Sequence, residues 1–372
     1  MIKKIGQVFI YIFVNLILFE FVLSFFDPES VIVKGFDKKL LFSMYPNKKG
    51  RVVSNEYNVL VETNEFGFRQ KLNQTYDVLV VGDSFTEGWG VEEDEIFTTV
   101  LNKESKQKYR NLGLHGSSPV LYALQIPFYL DQFKPKKLIV QLFDNDLDDN
   151  EKISNFLEFK QNGEVEKPKQ RLFANLVGES VYNFLKESTL YRLFAKIAKK
   201  ILSIESPILY YKDGKEPKSK IFTHDESIKQ YGPLQPLGEM IDKKYNGQFK
   251  FYSELSSRLW NERFFNNEIY LKQIVQEAKK RNVEISFLYI PAKEYFAKGG
   301  ILGDCKDCTE DDLAKKNPHL ELIELICKKE GLNCFFGNKI FFNKDPESLY
   351  FPYDAHLNRK GHKVLAEFLL NQ

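Results

Sequence analysis

At 372 residues the chain is long enough for one large α/β domain with insertions, or for two smaller ones. Its 43% hydrophobic and 28% charged residues are those of an ordinary globular protein and exclude wholesale disorder. With 53 basic and 51 acidic residues spread along the chain, a net charge of +2 excludes the concentrated basic face of a nucleic-acid binder.

The N-terminus reads "MIKKIGQVFIYIFVNLILFEFVLSFFDPES", with Lys3 and Lys4 ahead of a nearly uninterrupted apolar run from Ile5 to Phe26. At 1.5 Å per residue, about 20 helical residues cross a bilayer core. The run stops at Asp27-Pro28-Glu29, and the preceding "VLSFF" lacks the small-x-small pattern preferred for cleavage. Residues 1–29 are therefore expected to be an uncleaved transmembrane anchor. Lysines on its short side predict that end in the cytoplasm and the rest of the chain extracytoplasmic, in the periplasm or at the cell surface. Asn15 and Glu20 oppose this reading, a mid-membrane carboxylate costing on the order of 3 kcal/mol.

Residues 30–70 form a polar, turn-rich lead-in ending in "VETNEFGFRQ". "YDVLVV" (76–81) is a short, β-branched apolar run closed by Gly-Asp, the pattern of a buried parallel strand. A helix is expected from about Ile96 to Ser105, a strand at "YRNLG", a helix from about Pro119 to Gln132, and a strand at "KKLIVQLF" (136–143). Strand and helix in alternation predict a parallel sheet with crossover helices. The alternation then breaks for about 120 residues, which include an amphipathic basic helix ("SVYNFLKESTLYRLFAKIAKKILS") and a charged loop ("YYKDGKEPKSK"). It resumes with a helix over about 267–281, a strand at 283–290, a short strand at "GLNCFFG", and a closing helix with Val364, Leu365, Phe368 and Leu369 along one face. The expected organisation is one three-layer α/β/α domain over 30–372 with an insertion at about 151–265, because the flanking strands need each other to complete a sheet.

Four polar clusters stand where strands end or a helix begins. They are Asp83-Ser84 in "VLVVGDSFTEGWGV", Asn111 through Gly113, Asp144-Asn145-Asp146, and "YFPYDAHLNRKGH" before the last helix. In open parallel sheets the crevice beyond the carboxyl ends of the strands is the usual binding place. Ser at a strand-to-helix turn is commonly a cap, but these clusters together supply every part of an acyl-transfer site. Ser84 is the candidate nucleophile, His356 its base and Asp354 the group orienting the imidazole. The Ser84 and Gly113 backbone N–H groups and the Asn145 amide are the candidate oxyanion donors.

The order and content of these blocks resemble the SGNH (GDSL-type) hydrolase superfamily of esterases, lipases and carbohydrate deacetylases. Gly82-Asp83-Ser84 matches its first block, Gly113 its second, Phe143-Asp144-Asn145-Asp146 in part its third (G-x-N-D), and Asp354 with His356 its last. "TNEFGFR … VLVVGDSFTEGWGV … DAHLNRKGH" further resembles a membrane-anchored bacterial branch. The match spans residues 62–150 and 283–372. It implies a flavodoxin-like sheet, no cofactor and an acyl-serine intermediate. From the family and the expected location, the substrate implied is an ester, with an O-acetylated cell-envelope carbohydrate as partner. An O-acyltransferase using the same site and a non-catalytic envelope-binding or assembly protein are the alternatives. Two positions depart from the family pattern: Phe143 stands in place of a glycine, and the last block reads D-x-H rather than D-x-x-H.

Other residues carry weaker readings. Asp144, Asp146 and Asp148 alternate as in a calcium loop, but Asp149 and Asn155 stand where Gly and Glu are required, so no metal is expected there. Ser117 and Ser118 read as caps for the helix after Pro119, and His115 as a loop histidine or a substrate contact. Asn64, Gly67 and Arg69 fit a plain turn or a wall of the crevice. The basic stretch 186–200 fits a solvated helix face or a membrane-surface helix. The four cysteines, Cys305, Cys308, Cys327 and Cys334, allow three disulfide pairings, with free thiols and metal as further alternatives.

Overall fold

The computed structural model describes residues 34–54, 56–70, 76–169, 209–212, 257–292, 318–341, 348–351, 354 and 356–372, with residues 14–23 and a few isolated positions. The basic helix expected at 180–203 and the C-x-x-C of Cys305 and Cys308 fall largely or wholly outside them.

The centre is a five-stranded parallel sheet. Its strands, in chain order, are β5 (Val78–Gly82), β6 (Tyr109–Gly113), β7 (Lys137–Phe143), β11 (Glu284–Ile290) and β12 (Phe335–Phe336). The spatial order is β12-β11-β7-β5-β6, so the order reverses between β5 and β7. β7 and β11 pair residue for residue from Lys137↔Glu284 to Phe143↔Ile290, although more than 120 residues of chain separate them. Alternation along β5 explains why every residue in it is apolar or glycine. Leu79 and Val81 enter one core while Val78 and Val80 enter the other.

Helices cover both faces. On one side lie α3 (Pro119–Phe133) and α5 (Ser257–Lys280), with α6 (Pro318–Glu330) against α5. On the other lie α2 (Phe97–Glu104) and α8 (Arg359–Leu370), with α7 (Gly337–Phe341) beside α8. In α8, Val364, Leu365 and Leu369 are buried and Phe368 packs partly buried beside them, the face expected from their spacing. Two further helices are short and begin right after strands: α1 (Ser84–Glu87) and α4 (Asp146–Ser154).

Two sequence expectations change. The lead-in contains four strands, β1 (Lys34–Asp37), β2 (Leu41–Met44), β3 (Lys49–Val53) and β4 (Asn58–Glu62), whose alternate residues Val52, Val59 and Val61 join the core. The charged loop begins as a strand, β10 (Leu209–Lys212), paired antiparallel with β3. "DNDLDDN", weighed above only against a calcium loop, opens α4, its acidic residues sitting in the first turn, where the helix dipole favours negative charge. Two short strands, β8 (Leu157–Phe159) and β9 (Val165–Pro168), form a hairpin after α4.

Cys327 and Cys334 form a disulfide. Residues 14–23 are helical, with Leu16, Ile17, Leu18, Phe19 and Phe21 exposed. Glu20, within this helix, accepts the backbone N–H groups of Thr189 and Leu190. Among the described residues, no helix is long and apolar enough to cross a membrane.

Candidate active site

β5 ends at Gly82 and α1 starts two residues later. Asp83, not Ser84, is the cap: its Oδ1 accepts the Phe85 N–H at 2.9 Å. The hydroxyl of Ser84 is thereby spared from capping. Glycine is required at Gly82 because a Cβ there would lie 2.1 Å from Thr86 Oγ1 and 2.5 Å from Gln141 Oε1. Its register partner Gly113 faces the same demand, with a Cβ falling 2.0 Å from the Glu87 nitrogen. The two paired glycines let α1 settle onto the carboxyl ends of β5 and β6, next to the point where strand order reverses.

Ser84, His356 and Asp354 come together. His356 Nε2 lies 2.7 Å from Ser84 Oγ, and His356 Nδ1 is hydrogen-bonded to Asp354 Oδ1. An ionised carboxylate only accepts, so Nδ1 carries the proton and the Nε2 lone pair faces the serine hydroxyl. Burial works against the imidazolium, but the charge and hydrogen bond of Asp354, supported by Asp83 and Glu87, outweigh it. The His356 pKa is raised above 6.5.

The oxyanion donors need a correction. The Gly113 N–H donates to Asn111 Oδ1 at 2.8 Å, so it is already used within the strand end. In the loop that follows, Leu114 N–H bonds to Gly82 O and His115 N–H to Glu87 Oε2, whereas the Gly116 N–H meets no acceptor among the described residues. The Ser84 N–H likewise has none. Asn145 caps α4 in position only, and its Nδ2 donates to Asp149 Oδ2 at 2.9 Å, leaving its second amide hydrogen.

Phe143 sets its ring 4.3 Å from Phe85, which lies 4.9 Å from His356. Trp89 is 5.0 Å from His115 and 6.3 Å from His356, ring to ring. His115 is bound through Nδ1 to buried Glu87 at 2.8 Å. Burial raises the Glu87 pKa, but His115 and Arg69 prevail and hold it below the ordinary value. Arg69 is far more than a turn residue: fully buried, it donates to the carbonyls of Gly88 and Val91 that close the turn after α1, and to that of Leu60. Asn64 and Gly67 do form a turn, Asn64 Oδ1 accepting from Phe66 and Phe68.

Neither serine of "GSSP" caps α3 through its side chain. Ser117 Oγ donates to the Gly82 and Leu114 carbonyls, and Asn150 Oδ1 takes the Val120 N–H instead. Asp144 accepts from Tyr289 Oη and the Ala292 N–H, and Asp146 accepts from the Phe143 N–H. Among the described residues no cluster of His, Cys, Asp and Glu is arranged to hold a metal.

Four residues of the site went unread in the sequence. Gln141, fully buried in β7, accepts from Asp83 N–H and Thr86 Oγ1; as the one polar residue in "LIVQLF" it was detectable. Glu87 and Trp89 lay inside the quoted motif. Tyr57, whose hydroxyl donates to Asp354 Oδ2 at 2.8 Å, had no sequence signal at all.

No protein-family model matches the chain, and no curated protein does. Among solved structures it is similar to a psychrotrophic esterase, EstA, from Pseudoalteromonas sp. (10% identity, 79% of this chain and 94% of that one, TM-score 0.37). It is also similar to a member of the lipolytic protein G-D-S-L family from Veillonella parvula (11%, 79% and 96%, 0.37) and a GDSL-like lipase from Bacteroides thetaiotaomicron (11%, 81% and 89%, 0.35). Likenesses this distant do not bear on what the chain does.

Proposed function

We propose that the chain is a serine esterase acting through an acyl-serine intermediate. One observation carries this reading: the unbroken hydrogen-bonded run from Ser84 Oγ to His356 Nε2 and from His356 Nδ1 to Asp354. Ser84 Oγ attacks the ester carbonyl as its proton passes to Nε2. Asp354 stabilises the imidazolium so formed. The tetrahedral oxyanion takes the Ser84 N–H group and the remaining Asn145 amide hydrogen, each such donor being worth about 3 kcal/mol. His356 then protonates the leaving alcohol. Water, deprotonated by the same imidazole, hydrolyses the acyl-serine and restores Ser84.

An O-acetylated cell-envelope carbohydrate is the substrate class we assign, on the basis of the apolar N-terminal run and the extracytoplasmic location it implies. The Cys327–Cys334 disulfide supports an oxidising compartment.

The test is labelling of the full chain with a fluorophosphonate, with wild type and His356→Ala compared and the adduct mapped by mass spectrometry. An adduct on Ser84 that vanishes without His356 is the expected result. A folded wild-type protein that takes no adduct would sink the proposal in favour of a non-catalytic envelope role. Acetylated glycans with an acceptor sugar then separate hydrolysis, which releases free acetate, from transfer, which acetylates the acceptor.

A further inference from the structure

The spacing D-x-H leaves Asp354 only two residues from the imidazole it supports, at the tip of a short reversal. Tyr350 and Leu357 form an isolated antiparallel bridge, and the Phe351 N–H donates to the His356 carbonyl. Those bonds shape the base of the reversal, while Asp354 at its tip reaches a different part of the chain. Asp354 Oδ2 accepts the Tyr57 hydroxyl at 2.8 Å, and the Asp354 N–H donates to Glu56 Oε2 at 2.6 Å.

Both partners sit at the turn between β3 and β4, nearly 300 residues earlier. That turn is itself held: Ser54 Oγ accepts the N–H groups of Glu56 and Tyr57, and Ser54 N–H donates to the Tyr57 carbonyl. The Tyr57 ring is buried against Phe351, centroids 5.0 Å apart, and against Gly90. Its hydroxyl keeps its proton, because burial and the neighbouring Asp354 charge both push its pKa up. It therefore serves Asp354 as a donor throughout the working range.

We propose that Tyr57 and Glu56 are positioning residues that hold Asp354 against His356, making the β3–β4 hairpin a part of the catalytic apparatus. The inference rests on the esterase reading for its consequence in rate, but not for its geometry. The two oxygens of Asp354 then divide their roles, Oδ1 meeting the imidazole while Oδ2 is tied to a buried phenol.

The experiment compares full-length wild type, Tyr57→Phe, Glu56→Gln and Glu56→Ala. Two readouts are taken: the rate of fluorophosphonate labelling of Ser84 from pH 5 to 9, and the low-field proton resonance of His356 Nδ1. Tyr57→Phe keeps the ring and removes only the donor, so labelling is expected to slow by about tenfold to a hundredfold, the scale for a hydrogen bond to a charged group. Held less firmly against the imidazole, Asp354 supports the imidazolium less, so the acid limb of the profile moves to lower pH. Glu56→Gln keeps an oxygen for the Asp354 N–H and should retain most of the rate, whereas Glu56→Ala should not.

A Tyr57→Phe profile that superimposes on wild type, whatever its melting temperature, overturns the proposal. Should wild type itself take no label, the esterase reading fails and the resonance decides the positioning alone. A low-field proton that shifts in Tyr57→Phe sustains the inference, and one that stays in place overturns it.

Discussion

Phe85, the residue after the candidate nucleophile, lies with its ring centroid 4.3 Å from that of Phe143 and 4.9 Å from the imidazole of His356. The Phe143 side chain thus supports the ring packed against the candidate base. Phe143→Ala is expected to cost about 2 kcal/mol, less than a fully buried phenylalanine because Phe143 is only partly buried. It should also widen the crevice, raising the ratio of butyrate to acetate ester hydrolysis. Unchanged stability by denaturant titration, with an unchanged ratio, would refute this role.

Removing one member of the hydrogen-bonded run should abolish most of the chemistry. Ser84→Ala and His356→Ala are expected to lower ester hydrolysis by at least about 10³-fold, and Asp354→Asn by about 10³- to 10⁴-fold because it offers Nδ1 the wrong partner. Initial rates on p-nitrophenyl acetate check this, with circular dichroism confirming that the variants fold. Loss in Ser84→Ala alone, with His356→Ala near wild type, would remove the histidine from the mechanism.

The pH dependence has a defined sign. The base must be neutral to accept the Ser84 proton, and His356 holds its proton to a pH above 6.5. Activity should therefore rise with pH through a midpoint above 6.5, and in Asp354→Asn the midpoint should fall. A wild-type midpoint below 6.5 in kcat/KM would contradict the electrostatic account.

Asp83 offers a test in stability rather than activity. Burial raises its pKa from 3.8 to about 7, despite the Phe85 N–H and the nearby His356. Between those values the unfolded chain has released a proton that the folded chain still holds, so stability falls as pH rises. At about 1.4 kcal/mol per pH unit, the cost nears a ceiling of about 4 kcal/mol by pH 8. Asp83→Asn keeps an oxygen for the Phe85 N–H and carries no charge. It should raise the unfolding free energy at pH 8 and leave it unchanged near pH 4; an equal effect at both would show that ionisation is not the cause.

Arg69 and Gly113 should behave as architecture. Arg69→Met strands the Val91 carbonyl and leaves that of Gly88 only the Val91 N–H at 3.4 Å, at about 1–3 kcal/mol for a buried group left unpaired. Gly113→Ala drives a methyl into the Glu87 nitrogen and should prevent α1 from seating. For both variants the expected loss of melting temperature accompanies the loss of labelling. A stable Gly113→Ala protein with full activity would refute the close approach.

Local chemistry was enough to read much of this molecule. Short apolar runs ended by Gly-Asp or Asp-Asn specify strands buried on both faces, and their alternation with amphipathic segments specifies a parallel sheet, because each residue's period is set by its own backbone. That Ser84, His356 and Asp354 share one edge of the sheet was legible for a related reason: polar residues at a strand end or ahead of a helix have no core to enter and gather there. What no local pattern encodes is which distant group takes up each hydrogen bond. That Arg69 pins the turn after α1 and that Gln141 takes the Asp83 N–H follow from packing between segments far apart in sequence. The same holds for the strands of the lead-in, whose weak alternation acquires a buried face only against the rest of the fold. Tyr57 is the clearest case. Its sequence surroundings are those of an ordinary hairpin turn, and only the tertiary structure brings its hydroxyl to Asp354.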